Sequence, residues 1–326
     1  MKKLICPINI GGVSCASNLF LAPMAGVSDA PFRLLCLRGG AGLVCAEMVS
    51  ANALFYKNKK SLKMLEVSPE EHPLSMQVFG ADADMIAQAC KRAQDCGADI
   101  VDINAGCPVK KINKAGAGCV LMKEPLKLAK IIESAVKSVS IPVTLKTRTA
   151  LNAGENLAPL FAKIAQESGA AAVIFHARAA SAMHSGPADL KALESAACAV
   201  KIPIIANGGA FDAASVKALL GTGARAVMIG RGALGNPFIF EDIKSELNGA
   251  RAPHARGGRE IAAIFLSLVE ENAAFYGERT GVSRCKKTLG FWLKDFEGAS
   301  AAREAFARAQ TLEEARKILQ PLSDNL

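Results

Sequence analysis

Eight short apolar or β-branched runs recur along most of the chain, separated by segments with helical periodicity. The runs are Leu19–Pro23, Leu43–Met48, Leu74–Gly80, Ile100–Gly106, Pro142–Arg148, Ala171–Arg178, Ile202–Gly209 and Ala226–Gly232. Runs that are apolar on both faces are typical of parallel strands covered by helices on each side. Eight alternating strand and helix segments predict a closed (β/α)8 TIM barrel of the α/β class rather than an open, doubly wound sheet.

Helix signals lie between these runs. Asp82 can cap a helix, and Pro125 stands where the first residue of another helix would lie. Gly97, Gly169 and Gly223 each close a helix just before a strand. Because these signals alternate with the apolar runs, they support the repeated strand and helix units of a barrel.

The two ends of the chain depart from the barrel pattern. Ile8–Ser14 predicts a small hairpin that turns at Gly11-Gly12 and closes the bottom of the barrel. After Ile243 the pattern changes to a polar, glycine-containing linker at Arg251–Arg259. Four helices are predicted beyond it, near Glu260–Tyr276, Ser283–Phe296, Ala299–Ala309 and Leu312–Leu319. We therefore expect a barrel domain over residues 1–245 and a smaller all-helical domain over residues 246–326.

Composition and charge narrow the class of protein. Hydrophobic residues make up 51% of the chain, and the formal net charge of +9 favours an anionic partner such as RNA. The ten cysteines form no C-x-x-C pair, so neither a zinc site nor a thioredoxin motif is indicated. The first apolar run stops at Pro7, and no stretch approaches membrane-spanning length. We expect a cytoplasmic monomer with free thiols, no bound metal and no membrane association.

Glycine-rich segments follow the last two predicted strands. Asn207, Gly208 and Gly209 end strand seven, and Gly230 and Arg231 end strand eight. In barrel enzymes these two loops form the usual phosphate site, where free backbone N–H groups point at the anion. Arg231 adds a charge-assisted contact. The pair of loops predicts a cofactor or substrate phosphate at this side of the barrel mouth.

Other strand ends carry polar groups. Lys146 emerges from an otherwise apolar strand and could hold the negative charge of a reduced flavin ring. Gln77, together with the backbone at Pro23, Met24 and Ala25, could satisfy the polar edges of that ring. FMN is expected rather than FAD, because nothing in the sequence suggests an adenylate pocket.

Cys107 differs from the other cysteines because it follows strand four between Gly106 and Pro108, where the chain must turn. An unperturbed thiol has a pKa of about 8.5, so it is mostly protonated at neutral pH and can act as a general acid. We therefore single out Cys107 as the candidate catalytic acid.

Taken together, these segments resemble the tRNA-dihydrouridine synthases, in particular the bacterial branch with a barrel and a C-terminal helical domain. The matching motifs are Ala22-Pro23-Met24-Ala25-Gly26, Gln77-Val78-Phe79-Gly80, Asp102-Ile103-Asn104-Ala105-Gly106-Cys107-Pro108, Lys110 with Gly116-Ala117-Gly118, Asn207-Gly208-Gly209, and Gly230 through Pro237. The likeness is close over residues 5–245 and looser over the C-terminal helices.

The resemblance implies an activity and a set of roles. FMN would lie at the barrel mouth against the residues named above and His176, and NADPH would reduce it. Hydride would pass to carbon 6 of a tRNA uracil, and Cys107 would protonate carbon 5. Asn104 would help to hold the uracil. The other expected substrate-binding residues are Arg178, Arg284, Lys286 and Lys287.

This chain departs from the family pattern in two places. After Arg178 the family usually continues with Thr, a basic residue and an aromatic residue, where this chain has Ala179, Ala180 and His184. Leu190 replaces a later aromatic residue, and Thr288 replaces a histidine of the C-terminal helices. These departures concern the expected RNA contacts and leave the flavin site and the acid unchanged.

Two other functions remain open from sequence alone. A small-molecule flavin oxidoreductase, such as a dihydroorotate dehydrogenase-like barrel, would share the fold, the phosphate loops and FMN. The basic helical appendage and the turn at Cys107 argue against it, and turnover of orotate but not tRNA would favour it. An RNA-binding protein that has kept a barrel without catalysis would purify without flavin colour.

Overall fold

Eight parallel strands close into a barrel in the computed structural model, which describes residues 3–249 and 256–323. The described residues contain eleven strands: β1 Ile8–Ile10, β2 Val13–Cys15, β3 Leu19–Leu21, β4 Val44–Cys45, β5 Val49–Ser50, β6 Leu74–Phe79, β7 Ile100–Asn104, β8 Val143–Arg148, β9 Ala172–His176, β10 Ile204–Asn207 and β11 Ala226–Ile229. Strands β1 and β2 form a separate hairpin, and the short β5 pairs with β6 beside β4. The order around the barrel is β3-β11-β10-β9-β8-β7-β6-β4. The Leu21 N–H donates to the Leu43 carbonyl at 2.8 Å, which joins β3 to β4 and closes the barrel. The predicted barrel is confirmed.

Helices cover the outside of the barrel and form the C-terminal part of the chain. They are α1 Ala30–Arg38, α2 Ala51–Phe55, α3 Lys59–Lys63, α4 Ala83–Asp95, α5 Lys110–Lys114, α6 Pro125–Ser138, α7 Ala158–Glu167, α8 Leu190–Ala199, α9 Ala213–Gly221, α10 Ile239–Leu247, α11 Gly258–Tyr276, α12 Glu278–Cys285, α13 Leu289–Trp292, α14 Ala299–Arg308 and α15 Leu312–Ser323. The Asp82 carboxylate caps α4 by accepting the Met85 N–H at 2.9 Å, and Pro125 begins α6, as predicted.

The lower half of the barrel interior is apolar and is sealed by the N-terminal hairpin. Strands β1 and β2 pair antiparallel, and Ile10 and Cys15 join the buried cluster inside the barrel. Gly11, with a φ of 58°, lies so close to the start of β8 that a Cβ there would be 2.7 Å from the Cβ of Pro142. The hairpin predicted to close the barrel bottom is therefore confirmed.

The C-terminal helices pack around an aromatic core. Phe265 lies between Trp292 and Phe306, with ring centroids 5.4 Å and 5.3 Å away. The prediction of one helix over Ser283–Phe296 was wrong, because α12 begins at Glu278 and α13 ends at Trp292, with a 3-10 turn between them. Gly277, at a φ of 83°, ends α11 and lets α12 start at the next residue.

The junction between the two parts lies only partly within the described residues. The linker predicted at Arg251–Arg259 falls mostly outside them, and α11 already begins at Gly258. Helix α10 extends two residues past the expected boundary at 245. Arg256 contacts the barrel side of the junction, with its guanidinium 2.8 Å from the Asp242 carboxylate. Within the described ranges, no helix is both long and apolar enough to cross a membrane.

Candidate active site

The carboxyl ends of the barrel strands surround a cavity of about 340 Å³. This volume lies within the range of about 300–1,000 Å³ that is typical of small-molecule sites. The predicted residues that line it are Pro23, Met24, Ala25, Gln77, Asn104, Cys107, Lys146, His176, Arg178, Asn207, Gly208, Gly209, Gly230 and Arg231. The structure thus brings together the predicted residues of the barrel, because parallel strands present their carboxyl ends at one face.

One side of the cavity is built to receive an anion or a polar ligand. Gly208 and Gly209 adopt φ angles of 101° and 85°, and within residues 3–249 and 256–323 their N–H groups meet no acceptor. A Cβ on Gly208 would be 3.0 Å from Nη1 of Arg178. This Nη1 atom of Arg178 and the Nδ1 atom of His176 are both buried, and neither has a hydrogen-bond partner in the described part of the chain. Buried donors are normally paired, so these open groups indicate a ligand.

Lys146 forms the polar floor of the cavity. Its Nζ donates to Oδ1 of Asn207 at 3.0 Å, and Nδ2 of Asn207 donates to the Met228 carbonyl at 2.9 Å. Burial lowers the pKa of Lys146 to about 8, although Asp102 nearby opposes that shift. The lysine is therefore held in place and remains largely charged at neutral pH. Burial, with the cations around it, also lowers the pKa of His176 to about 2, so this imidazole is neutral.

Cys107 lies on a tightly held turn after β7. The Gly106 and Cys107 N–H groups donate to Oδ1 of Asn104 at 3.2 and 3.0 Å. The Cys107 carbonyl accepts from the Cys119 N–H at 3.0 Å. Gly118, at a φ of 70°, packs so closely that a Cβ there would be 2.5 Å from the Cys107 carbonyl oxygen. The Cys107 thiol itself is half-buried, and burial raises its pKa, so it holds its proton at neutral pH.

The loop after β9, which contains the departures from the family pattern, is fixed by Arg148. Nε of Arg148 donates to the Gly106 carbonyl at 2.9 Å, and Nη1 donates to the carbonyls of Ala179 and Met183 at 3.0 and 2.7 Å. The His184 ring meets the His176 ring edge-on, with centroids 5.5 Å apart. The altered segment therefore forms one wall of the cavity.

Arg284 of the helical part contacts the barrel instead of facing solvent. Its guanidinium lies 2.9 Å from the Asp29 carboxylate and 3.1 Å from the Glu47 carboxylate. The other oxygen of Glu47 accepts the N–H of Gly26, and Arg284 stacks on the Tyr276 ring at 4.3 Å. These contacts use the guanidinium to join α12 to the loops after β3 and β4.

The two neighbouring lysines point in different directions. Lys287 is exposed and reaches over Gly26, where a Cβ would be 2.7 Å from its Nζ. It lines a second cavity of about 570 Å³, which shares Ala25 with the first. Lys286 lies toward α15, where it adds to the backbone N–H groups that lower the pKa of Glu314. Arg284 and Lys287 therefore share the second cavity, whereas Lys286 lies on the α15 side.

Sequence reasoning did not single out two buried residues of the site. Arg148 was noted only as a strand end, and Asp102 only as part of a motif. The signal for Asp102 lies in β7, where Asp102 and Asn104 interrupt an apolar strand at a spacing of two and so face the same side. Across the described residues, no group of three or more His, Cys, Asp and Glu side chains could hold a metal ion.

The fold and the cavity define a (β/α)8-barrel enzyme with unpaired polar groups on one side of its cavity and a protonated thiol at its mouth. The sequence model of the dihydrouridine synthase (Dus) family matches residues 20–326. A tRNA-dihydrouridine synthase B from Vibrio vulnificus (strain CMCP6) is 40% identical over 301 residues, which cover 92% of this chain and 93% of that protein. One from Pseudomonas aeruginosa is 36% identical over 304 residues, covering 93% and 92%. The chain belongs to the dihydrouridine synthase family and is an oxidoreductase.

Solved structures agree on the fold. A variant of NCR from Zymomonas mobilis matches with a TM-score of 0.54 and 15% identity, over 76% of this chain and 92% of that one. A mandelate oxidase mutant with benzaldehyde matches with a TM-score of 0.53 and 17% identity, over 77% and 81%. At these identities the likeness shows the barrel fold alone.

Proposed function

We propose that this chain reduces the carbon 5–carbon 6 double bond of uridines in transfer RNA, with FMN as its cofactor and NADPH as reductant. The observation that carries the proposal is that one cavity holds a protonated thiol, Cys107, a partly buried lysine, Lys146, and the open donors around Gly208. The names of the curated relatives support transfer RNA as substrate. We place the enzyme in the cytoplasm as a monomer, where its ten free thiols stay reduced.

The cavity fits FMN by the chemistry of its donors. The free N–H groups of Gly208 and Gly209, with Arg178 and Arg231 beside them, would hold the phosphate. Lys146 would lie against the ring, where a cation stabilises the negative charge of the reduced form. FMN, once reduced, would supply the hydride for carbon 6 of the uracil.

Cys107 would supply the proton. Carbon 6 is conjugated to the carbonyl at position 4, so hydride addition there creates an enolate that must be protonated at carbon 5. Burial raises the pKa of the Cys107 thiol, which keeps its proton available until that charge develops. The thiol is left as a thiolate and recovers its proton from solvent between turnovers. Arg148 and Asn104 hold the turn and so orient the thiol over the cavity.

The function can be tested directly by mapping dihydrouridine in tRNA from cells with and without the gene. We expect specific positions to lose dihydrouridine when the gene is deleted and to regain it when the parent gene is restored. The purified protein should carry FMN and should oxidise NADPH faster when tRNA from the deletion strain is added. An unchanged dihydrouridine map would exclude this function.

Lys146→Met is expected to weaken FMN binding. A hydrogen bond to a charged group contributes about 1.5–3 kcal/mol net, so the affinity should fall on the order of tenfold to a hundredfold. The parent should also lose affinity as the pH rises through about 8, where Lys146 loses its charge, and the variant should lack that inflection. Fluorescence titration of FMN across this pH range measures both effects.

The matched control is Lys137→Met, which removes an exposed lysine near the end of α6, at the opposite end of the barrel. It should bind FMN as the parent does at every pH. Equal FMN affinities and reduction rates for the parent and Lys146→Met would remove Lys146 from the cofactor site.

Charge reversal at Lys287 is expected to weaken tRNA binding. Lys287 is exposed beside Ala25, so RNA that reaches the first cavity would pass it, and Lys286→Glu should have a smaller effect because that lysine faces α15. Each lost phosphate contact should reduce the slope of log affinity against log salt by about 0.7–0.9. Lys137→Glu makes the same charge change at the far end of the barrel and should bind tRNA as the parent does. Identical affinities and salt slopes in all four proteins would place the RNA surface elsewhere.

A further inference from the structure

A polar layer crosses the otherwise apolar barrel interior at the floor of the cavity and just below it. Gln77, Asp102 and Thr144 are register neighbours on β6, β7 and β8, and each is at most 3% exposed. Buried polar groups are costly unless they are hydrogen-bonded. These three residues satisfy one another, and none of them belongs to the reactive groups of the proposed mechanism.

The hydrogen bonds of this layer have a fixed direction. Oδ1 of Asp102 accepts from the Thr144 hydroxyl at 2.6 Å, and Oδ2 accepts from Nε2 of Gln77 at 2.6 Å. Burial raises the pKa of Asp102 to about 6, although its hydrogen bonds and Lys146 oppose that shift. At neutral pH the group is therefore mostly a carboxylate, which can only accept. The carboxylate thus forces Gln77 to turn its NH2 group toward Asp102 and its carbonyl oxygen away.

The orientation of Gln77 in turn orients the Asn104 amide, which holds the turn that carries the thiol. The freed Oε1 of Gln77 accepts from Nδ2 of Asn104 at 2.9 Å, so Oδ1 of Asn104 must face the other way. There it accepts the N–H groups of Gly106 and Cys107. An amide can point either end at a neighbour, and the groups at the two ends of this chain select one orientation: the main-chain N–H groups can only donate, and the Asp102 carboxylate can only accept.

We propose that Asp102 is the positioning residue for Cys107. Acting through Gln77 and Asn104, its carboxylate fixes the acceptor that holds the Cys107 turn, and so sets where the thiol lies over the cavity. The inference rests on the proposed function, since it assigns Asp102 to the protonation step. It differs from a role in which Asp102 serves only as the counter-charge of Lys146, because that role depends on charge at position 102 and is indifferent to the direction of the amides.

Asp102→Asn keeps the shape of the side chain and replaces the charged acceptor at this end of the chain by an amide that can present either a donor or an acceptor. The flavin of the NADPH-reduced holoenzyme should be reoxidised by tRNA about tenfold to a hundredfold more slowly, because small misplacements of reacting groups cost up to about 10²-fold. FMN affinity and the rate of reduction by NADPH should stay within threefold of the parent values. A threefold change is about the effect of losing one weak hydrogen bond. Iodoacetamide should alkylate Cys107 about threefold to tenfold faster, since the half-buried thiol is no longer held.

Peptide mass spectrometry locates the alkylation, and the exposed Cys96 and Cys198 serve as internal references that should not change. The double variant Asp102→Asn, Gln77→Glu reverses the hydrogen bond between positions 77 and 102 but again places an acceptor opposite Asn104. The amide at position 102 donates to the carboxylate at position 77, which again accepts from Asn104. Its alkylation rate at Cys107 should return to that of the parent. Thr144→Val removes a bond to Asp102 without altering the path to Cys107 and should alkylate as the parent does.

Dihydrouridine formation by the parent protein in the same assay tests the proposed function, on which this inference rests. The variants then test the inference by itself. If the parent is active and Asp102→Asn matches it in tRNA oxidation or in alkylation, the positioning role is wrong. Failure of the double variant to recover the parent alkylation rate would mean that the carboxylate is needed at position 102 itself, and would overturn the inference. If Asp102→Asn does not fold, the double variant decides, because it again offers Asn104 an acceptor and should then fold and alkylate like the parent.

Discussion

Replacing Cys107 by alanine should slow the oxidation of the reduced enzyme by tRNA about 10²–10⁴-fold, the usual contribution of a general acid. The defect should appear only when the reduced enzyme meets tRNA, because hydride addition without protonation leaves an unstable enolate. Alanine removes no backbone hydrogen bond from the turn, whose contacts to Asn104 and Cys119 use main-chain groups of Cys107. FMN content and reduction by NADPH should therefore match the parent. Stopped-flow absorbance of the flavin follows the two half-reactions separately.

Two further variants sharpen this experiment. Cys107→Ser should recover little activity, since a hydroxyl is a much weaker acid than a thiol. Cys119→Ala should behave as the parent does, because the Cys119 side chain is buried against Asn113 and its N–H still reaches the Cys107 carbonyl. A parent-like rate of tRNA oxidation in Cys107→Ala, or a defect confined to Cys119→Ala, would show that the acid is a different group.

The second large effect is expected from Gly118→Ala. A methyl group at this position would lie 2.5 Å from the Cys107 carbonyl oxygen, which is main-chain and cannot rotate away. The turn must shift to accommodate it, and misplacement by about 1 Å can cost on the order of 10²-fold in rate. We expect that loss in the tRNA half-reaction, with FMN affinity retained because the phosphate loops lie on other strands. Single-turnover oxidation of the reduced flavin measures the loss.

Gly116→Ala is the matched control for this change. Gly116 and Gly118 have φ angles of 73° and 70°, so both substitutions carry the same backbone penalty of about 1–2 kcal/mol. A methyl group on Gly116, however, would come no closer than 3.3 Å, to the Cβ of Ala81. Equal losses of rate in the two variants would mean that backbone strain, and not contact with the Cys107 turn, is responsible.

Most of the barrel could be predicted from the sequence because its strands are short, apolar on both faces and separated by explicit helix signals. The helical part was harder. Its helix α12 contains Gly281, where a Cβ would be 2.4 Å from the Asn272 carbonyl oxygen, so this helix forms through close packing on α11. Such a contact leaves no periodic signal, and a pattern based on apolar spacing placed the start of the helix five residues too late.

The cavity residues were predictable for a topological reason. In a barrel of parallel strands every strand ends at the same face, so inward-facing residues near the strand ends, such as Gln77, Lys146 and Asn207, come together in the cavity. Side-chain partners are a different matter. Arg284 and Asp29 are 255 residues apart in the sequence, and the sequence around either residue does not indicate the other as its partner.

Asn104 shows the same limit within the site. The family resemblance implies that it holds the uracil, and that role stays a prediction. In the structure its carbonyl oxygen accepts two main-chain N–H groups, and its amide donates to Gln77. Residue type and strand position revealed that the side chain lies at the mouth, but its hydrogen-bond partners depend on the path of the following turn.

The hydrogen bonds of Arg148 affect which substitutions the loop after β9 can accept. The guanidinium donates to the carbonyl oxygens of Ala179 and Met183 in this loop. It also donates to the carbonyl oxygen of Gly106 in the Cys107 turn. Because every residue has a main-chain carbonyl, side chains in this loop can be exchanged without losing these hydrogen bonds. The alanines at 179 and 180 leave these main-chain contacts intact, so libraries that vary this loop at constant length should keep the Cys107 turn in place.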